Sequence, residues 1–357
     1  MLIVLPSYKR TECLPWVLKS IYRCDVSGIA EPKQVVVVNN HPPSREIIDR
    51  IIGEFANNSA IVCRARHRHE TMPGIDSWFS AIAEFATENE VVFLLGDDDL
   101  MMPWGLKDRY REIVGNEADM LLSDYADRIY FCDEGRRYWM TGSLPIQSEQ
   151  QTRARRWDFL PADHPEASFM SNHCYRNTAS FRKGLQLAFD WCDSQTWLSR
   201  SIRTGMLPFY LPYTISLVGG KVVSLRSKCV FRGACAEEAI RSTYAEGGNT
   251  VFYNLCAHDV FVNQDFPPHT ERLKRVGAHF RPRVIQGFLT MLGHKGITLE
   301  MLATTFSHSG LGVTDLLSTE VLHGIPKVAI RLLGLRGARL RIMSRSQALP
   351  KTEQLFQ

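Results

Sequence analysis

Apolar and polar positions alternate in short blocks over residues 1–130, and the blocks switch between two periods. Residues 2–5 (LIVL) are a short apolar run stopped by Pro6 and Ser7, as a buried strand would be. Leu14, Val17, Leu18 and Ile21 then recur at helical spacing. Residues 34–38 (QVVVV) are β-branched and continuous, the pattern of a strand buried on both faces. A helical stripe follows on Ile47, Ile48, Ile51, Ile52 and Phe55, then a third strand over 60–63. Ile75, Trp78, Phe79, Ile82 and Phe85 predict a third amphipathic helix, with Trp78 read as a core aromatic. A fourth strand, 91–95 (VVFLL), runs straight into Gly96, Asp97, Asp98 and Asp99. Strands alternating with helices predict βαβ units and a mostly parallel α/β sheet flanked by helices. Ligands of such sheets collect at the carboxyl ends of the strands. Three of those ends carry notable chemistry: Pro6-Ser7-Tyr8, Asn39-Asn40 and Asp97-Asp98-Asp99.

The middle of the chain is less regular. Residues 120–122 read as a strand, and 128–132 with 137–140 as a hairpin around Gly135. Residues 142–178 are polar, Pro-containing and Arg-rich, which predicts a long surface loop of the kind that serves as a lid or binding loop. A helix is expected over 193–204, stopped by Gly205, and strand-like runs over 207–211 and 221–225. From about residue 250 the apolar spacing turns helical, so the expected organisation is a domain over 1–232 and a helical C-terminal region over 250–357.

Composition narrows the class. The chain has 357 residues, 45% hydrophobic and 22% charged, with a formal net charge of +4, which excludes a disordered chain, a fibre and a small disulfide scaffold. The basic excess is too small and too dispersed for a nucleic-acid partner. Nine cysteines, with no C-x-x-C, suit neither a metal finger nor a disulfide framework, so free thiols and a cytoplasmic setting are expected. No run reaches the roughly 18 apolar residues of a membrane span, and none resembles a leader. Residues 326–345 mix Lys327, Arg331, Arg336, Arg339, Arg341 and Arg345 with Val, Ile and Leu. That mixture suits peripheral contact with an anionic membrane surface, or a basic tail that aids solubility.

The acidic triplet is the strongest chemical signal. Three adjacent carboxylates repel one another, and a divalent cation is the usual compensator. Oxygen ligands of this kind suit Mg2+ or Mn2+, with the coordination shell completed by water and substrate phosphates. The plain alternative is a solvated acidic loop.

The segments LIVLPSYKRTECLPWVLKSI, VVVVNN, Gly74 and VVFLLGDDDL, in that order and spacing, resemble glycosyltransferase family 2 and its GT-A nucleotide-sugar-binding fold. The resemblance covers residues 1–130 well and 175–232 more loosely; it divides the first domain into a nucleotide-sugar part (1–130) and an acceptor part (131–232). It implies nucleotide contacts at Pro6, Ser7, Tyr8 and Asn39, with Asp97 on the ribose side and Asp99 as the closest metal ligand. Asp98 substitutes for either. The family commonly carries Asp at the position of Asn39 and Asn at that of Lys9. An Asn carbonyl still accepts a hydrogen bond from a base N–H, but the amide also donates. The family's usual Asn in the helix before the fourth strand falls near Trp78, and Asp76 is the candidate for that role.

The resemblance also implies inverting transfer of one sugar from a nucleotide sugar to a glycan or lipid-linked acceptor, in cell-surface polysaccharide or lipopolysaccharide assembly. Such transfer needs a base on the acceptor hydroxyl and a stabilised diphosphate leaving group. The stretch FDWCDSQTWL resembles the family's base segment, which makes Asp193 the base candidate and Asp190 its alternate; either residue Asp193 or Ser194 is equally a helix N-cap. Arg64, Arg66, His67, Arg68 and His69, and in the long loop Arg153, Arg155 and Arg156, are candidates for phosphates or an anionic acceptor, against the commoner reading of solvated charge. His173 and Cys174 are candidates for lining an acceptor pocket.

Rival readings fare worse. A haloacid-dehalogenase-like phosphatase continues its acidic motif with Thr or Val where Met101 stands, and places it near the N-terminus. A Rossmann dehydrogenase needs G-x-G-x-x-G after the first strand, and a nucleotidyltransferase a Gly-rich loop there; this chain has PSYKRTE. A processive synthase carries Q-x-x-R-W and membrane spans. A non-catalytic nucleotide-sugar-binding relative stays open.

Overall fold

The computed structural model describes residues 1–29, 32–55, 60–131, 138–140, 155–156, 170–194 and 207–235, all within a compact unit spanning Met1–Glu237. The expected helical region over 250–357, the basic segment 326–345, the hairpin turn at Gly135 and Arg153 lie outside the described residues.

The N-terminal half follows its hydrophobic pattern. Strands β1 (Leu2–Ser7), β2 (Gln34–Asn39), β3 (Val62–His67) and β4 (Val91–Leu94) alternate with helices α1 (Leu14–Tyr22), α2 (Arg45–Phe55) and α3 (Gly74–Phe85). Strand β1 lies between β2 and β4, all parallel, and β2 carries β3 parallel on its far side. Ser7 stands beside Asn39 and Asn39 beside His67, so three strand ends form one row. The apolar runs of β1, β2 and β4 are buried, as is the whole α1 stripe of Leu14, Val17, Leu18 and Ile21, whereas of the α3 stripe Phe79 and Ile82 are buried and Ile75, Trp78 and Phe85 half-buried.

The sheet then changes direction. Its order is β3-β2-β1-β4-β9-β6-β10-β5, where β5 is Leu100–Met101, β6 Met120–Phe131, β9 His173–Arg176 and β10 Val222–Cys235. Strand β9 runs antiparallel to both β4 and β6, while β6 and β10 pair parallel. The sheet is therefore mixed: wholly parallel from β3 to β4, and of both kinds beyond. Two short strands complete it: β7 (Tyr138–Met140), paired with β6 as the expected hairpin, and β8 (Arg155–Arg156), paired with β10. Helix α4 (Gly105–Gly115) follows β5, α5 (Ala179–Ser194) follows β9, and α6 (Leu207–Leu217) precedes β10.

Three expectations are corrected. The stretch 142–178 is not all surface loop: β9 sits inside it and in the middle of the sheet, with His173, Cys174 and Tyr175 buried. Residues 207–211 are helical, the start of α6, which carries Pro212 in its interior. A proline there removes one backbone donor, and the Ser216 hydroxyl donates to the Pro212 carbonyl at 2.8 Å. Finally, Asp193 does not open a helix; it lies in the last turn of α5.

Candidate active site

A cleft of about 450 Å3 opens at the carboxyl ends of β1 and β4. Pro6, Ser7, Tyr8 and Arg10 line one side of it, and Gly96, Asp97, Asp98 and Asp99 another. Asn40 lines it from the end of β2, Thr71, Met72, Gly74 and Trp78 from the segment around the start of α3, and Met170 and Ser171 from the turn before β9.

The turn after β1 is shaped for this meeting. Lys9 adopts φ 66°, a left-handed conformation that L residues with a full side chain seldom take. Asn tolerates this conformation better than Lys. Around this turn the Tyr8 N–H donates to Asp97 Oδ2 at 3.1 Å. The Arg10 guanidinium reaches Asp97 Oδ1 at 2.7 Å and Asp98 Oδ2 at 2.6 Å. Asp99 is held from behind: the Ser171 hydroxyl donates to its Oδ2, and the same Ser171 oxygen accepts the Gly96 N–H at 2.7 Å. Gly96 leaves little room, because a Cβ there would stand 2.7 Å from Asp99 Oδ2 and 3.3 Å from Asp98 Oδ1.

The electrostatics follow from burial. Asp97 and Asp99 are almost wholly buried, and Asp98 is slightly more open. Burial pushes the Asp97 carboxyl well above the usual carboxylate range, the Arg10 charge pulls it back, and the Asp98 charge pushes it up again. Behind the triplet lies Arg109, fully buried. It donates to the Ser171 carbonyl at 2.9 Å, to the Gly105 carbonyl at 3.1 Å and to Met101 Sδ at 2.8 Å, and stacks over Phe93.

The structure thus brings together Pro6, Ser7, Tyr8, Asp97, Asp98 and Asp99. The Ser7 hydroxyl is buried without a hydrogen-bond partner, and the Tyr8 ring is well exposed, edge-on to His41. Other candidates lie elsewhere. Asn39 is fully buried and does not line the cleft; its amide meets His67 Nδ1 at 3.0 Å and accepts the His41 N–H at 2.9 Å. Its neighbour Asn40 lines the cleft instead and clamps Met72 by both its C=O and its N–H. Asp76 lines a second pocket, between α3 and α5, with Arg182, Gln186 and Phe189. Asp190 and Asp193 are exposed on α5 and line neither; Asp190 accepts a bond from Gln186 at 2.7 Å.

Trp78, expected in the core, is half-buried and faces the cleft. His173 is committed to the core, 2.7 Å from the Tyr175 hydroxyl. Four residues of the basic cluster at the end of β3 meet neighbours in the fold: Arg64 meets Gln34, Arg66 and Arg68 meet Glu84, and His67 meets Asp49, while His69 is exposed. Arg10 and Ser171 were not foreseen, and Asn40 was noted only as part of the Asn39-Asn40 strand end. Arg10 had a signal in its place two residues past the Pro6–Tyr8 turn, whereas Ser171 had none.

Three carboxylates on consecutive residues are the right donors for a hard divalent cation. Among the described residues, however, no three acidic, His or Cys side chains converge on one point. The fit is therefore to a cation held by one or two carboxylates and completed by phosphate oxygens and water.

No family model and no curated protein matches the sequence. Solved structures do. S. aureus TarS, residues 1–349, in complex with UDP-GlcNAc is 15% identical, with a TM-score of 0.50 over 86% of this chain and 78% of that one. A mannosyltransferase from Pyrobaculum calidifontis in complex with GDP-Man and Mn2+ is 11% identical, with a TM-score of 0.51 over 94% and 87%. The chain has the α/β fold of the GT-A glycosyltransferases. Among the described residues no helix is long and apolar enough to cross a membrane, and Cys13, Cys24, Cys63, Cys174, Cys192 and Cys229 are free thiols.

Proposed function

We propose that this protein is a glycosyltransferase that moves a single sugar from a nucleoside-diphosphate sugar to an acceptor hydroxyl, with inversion and with Mn2+ or Mg2+. The observation that carries the reading is the acidic triplet at the end of β4 facing the Pro6–Tyr8 turn across one cleft, in this fold. The two neighbours, one with UDP-GlcNAc and one with GDP-Man and Mn2+, support it.

The exposed Tyr8 ring offers a stacking face for the base, and Ser7 and Asp97 polar atoms for the ribose. Asp99, with Asp97, would hold the divalent cation, which supplies positive charge to the departing diphosphate. Asn39 acts at one remove, fixing the strand-end backbone through His41. Asp193 is the proposed base for the acceptor hydroxyl and Asp190 the alternate. A base must come within hydrogen-bond reach of the proton it takes, so this assignment needs α5 and the acceptor to meet at the cleft. The acceptor is a glycan or a lipid-linked glycan of the cell surface.

Thermal shift with UDP, GDP, dTDP and CDP, each with and without Mn2+, tests the reading, because a ligand that binds only the folded state raises its melting temperature. One nucleotide should stabilise the wild type in the presence of metal, and Asp99→Ala should abolish the effect. No shift with any of the four would sink the proposal. Inversion is checked separately by product NMR, where a retained anomeric configuration overturns it.

A further inference from the structure

We propose that Arg10 is the resident counter-ion of the acidic triplet, and that it yields this place to a divalent cation only when a diphosphate is present to receive its guanidinium. The proposal rests on the transferase reading and adds to it a rule for how metal and donor bind.

Asp97 is 2% exposed and sits beside two more carboxylates, so its charge needs a partner. Arg10 is that partner. Its guanidinium bridges two carboxylates, with Nη2 on Asp97 and Nη1 on Asp98. The cation proposed for Asp99 and Asp97 would compete with Arg10 for Asp97. The protein therefore carries a positive charge at this point before any metal arrives. A metal ion held alone by Asp99 and Asp97 would have to part the Arg10–Asp97 ion pair, at 2.7 Å, and would leave the guanidinium beside a second positive charge.

Arg10 is also placed so that it can move. It is 35% exposed, it lies on the turn that follows β1, and Asp97 and Asp98 belong with it to the cleft lining. That exposure leaves its side chain room to rotate within the cleft. Its planar donor fork suits phosphate oxygens as well as carboxylates. With metal and diphosphate both present, Asp99 and Asp97 would hold the cation and the Arg10 guanidinium would take the diphosphate. Arg10 therefore opposes metal alone and favours metal with diphosphate. Linkage makes the effect reciprocal, so diphosphate raises the affinity for metal by the factor with which metal raises the affinity for diphosphate.

The test is the sign of the effect in Arg10→Gln. Free Mn2+ measured by electron paramagnetic resonance gives Mn2+ affinity without nucleotide. Calorimetry at saturating Mn2+ gives the affinity for UDP, GDP, dTDP and CDP. Arg10→Gln should bind Mn2+ alone about tenfold more tightly than wild type and the preferred nucleotide about tenfold more weakly. Arg10→Lys, which keeps the charge and loses the fork, should fall between them on both scales. A residue that only shapes the cleft would weaken both affinities. If the wild type binds a nucleotide with Mn2+ but Arg10→Gln binds Mn2+ alone no more tightly, the counter-ion proposal is wrong and the transferase reading stands. If neither protein binds Mn2+ with or without any of the four nucleotides, both fail. Melting temperature without ligand, read on each variant, verifies that the fold persists.

Discussion

The acidic triplet has a front and a back, and each carries one arginine. In front, Arg10 is partly exposed on a turn and bridges two carboxylates. Behind, Arg109 is fully buried, and among the described residues it bonds two carbonyls and a thioether, with no carboxylate among its hydrogen bonds. Buried charge without a counter-charge is costly, and burial accordingly pulls the Arg109 pKa down. The front arginine has partners that a ligand can replace. The back arginine has partners that belong to the frame itself: the Gly105 carbonyl opens α4, and the Ser171 carbonyl belongs to the residue whose hydroxyl holds Asp99. One region is arranged for exchange and the other for fixity.

The comparison breaks most directly at Arg109. Arg109→Ala removes a large buried side chain and leaves two carbonyls short of a donor. The cost should be about 3–5 kcal/mol, from the cavity and the unpaired groups together. Urea unfolding measures it. Arg109→Met, which refills the volume with apolar atoms, should recover much of that loss. A cost under about 1 kcal/mol for the alanine variant, within the range of ordinary surface substitutions and small repackings, would mean that the back of the site is not the fixed part.

Gly96→Ala probes the front without touching a charge. Its Cβ would crowd Asp99 and Asp98 at the ends of their side chains, which can swing aside. Stability should therefore fall by less than about 1.5 kcal/mol. Displaced carboxylates should nevertheless lower metal-dependent nucleotide affinity by about tenfold, measured by calorimetry. Equal losses in stability and affinity would erase the distinction between front and back.

Front and back were also unequally legible in the sequence. The front stands at the ends of β1 and β4, whose continuous apolar runs mark buried parallel strands and whose motifs abut those runs. The back hangs on residues 170–176, where MSNHCYR shows neither alternation nor an apolar block, so a strand at the centre of the sheet read as loop. Its burial depends on partners far along the chain, as when His173 meets Leu122 across the β6–β9 pairing. Strand propensity also misled at α6, because LPFYLPYTISL is rich in aromatic and β-branched residues that a helix accepts once tertiary contacts cover it. Asp190 and Asp193 were found by family-like spacing alone, and spacing does not say which end of a helix a residue occupies.

The smallest effect is expected at Lys9, where the front is strained. An L residue in the left-handed region costs roughly 1–2 kcal/mol, less for Asn. Lys9→Asn should relieve about 1 kcal/mol of that cost. It also removes the Lys9 ammonium from over the Tyr8 ring, 5.1 Å away, a contact worth about 0.5 kcal/mol at an exposed site. The balance is a gain near 0.5 kcal/mol, visible as a small rise in the urea midpoint. Because the turn already seats Arg10 on Asp97 and Asp98, Mn2+ affinity without nucleotide should not change. A loss of stability would show that Lys9 contributes more through Tyr8 than its backbone costs. The exchangeable side of the site would then depend on that aromatic contact as much as on its charges.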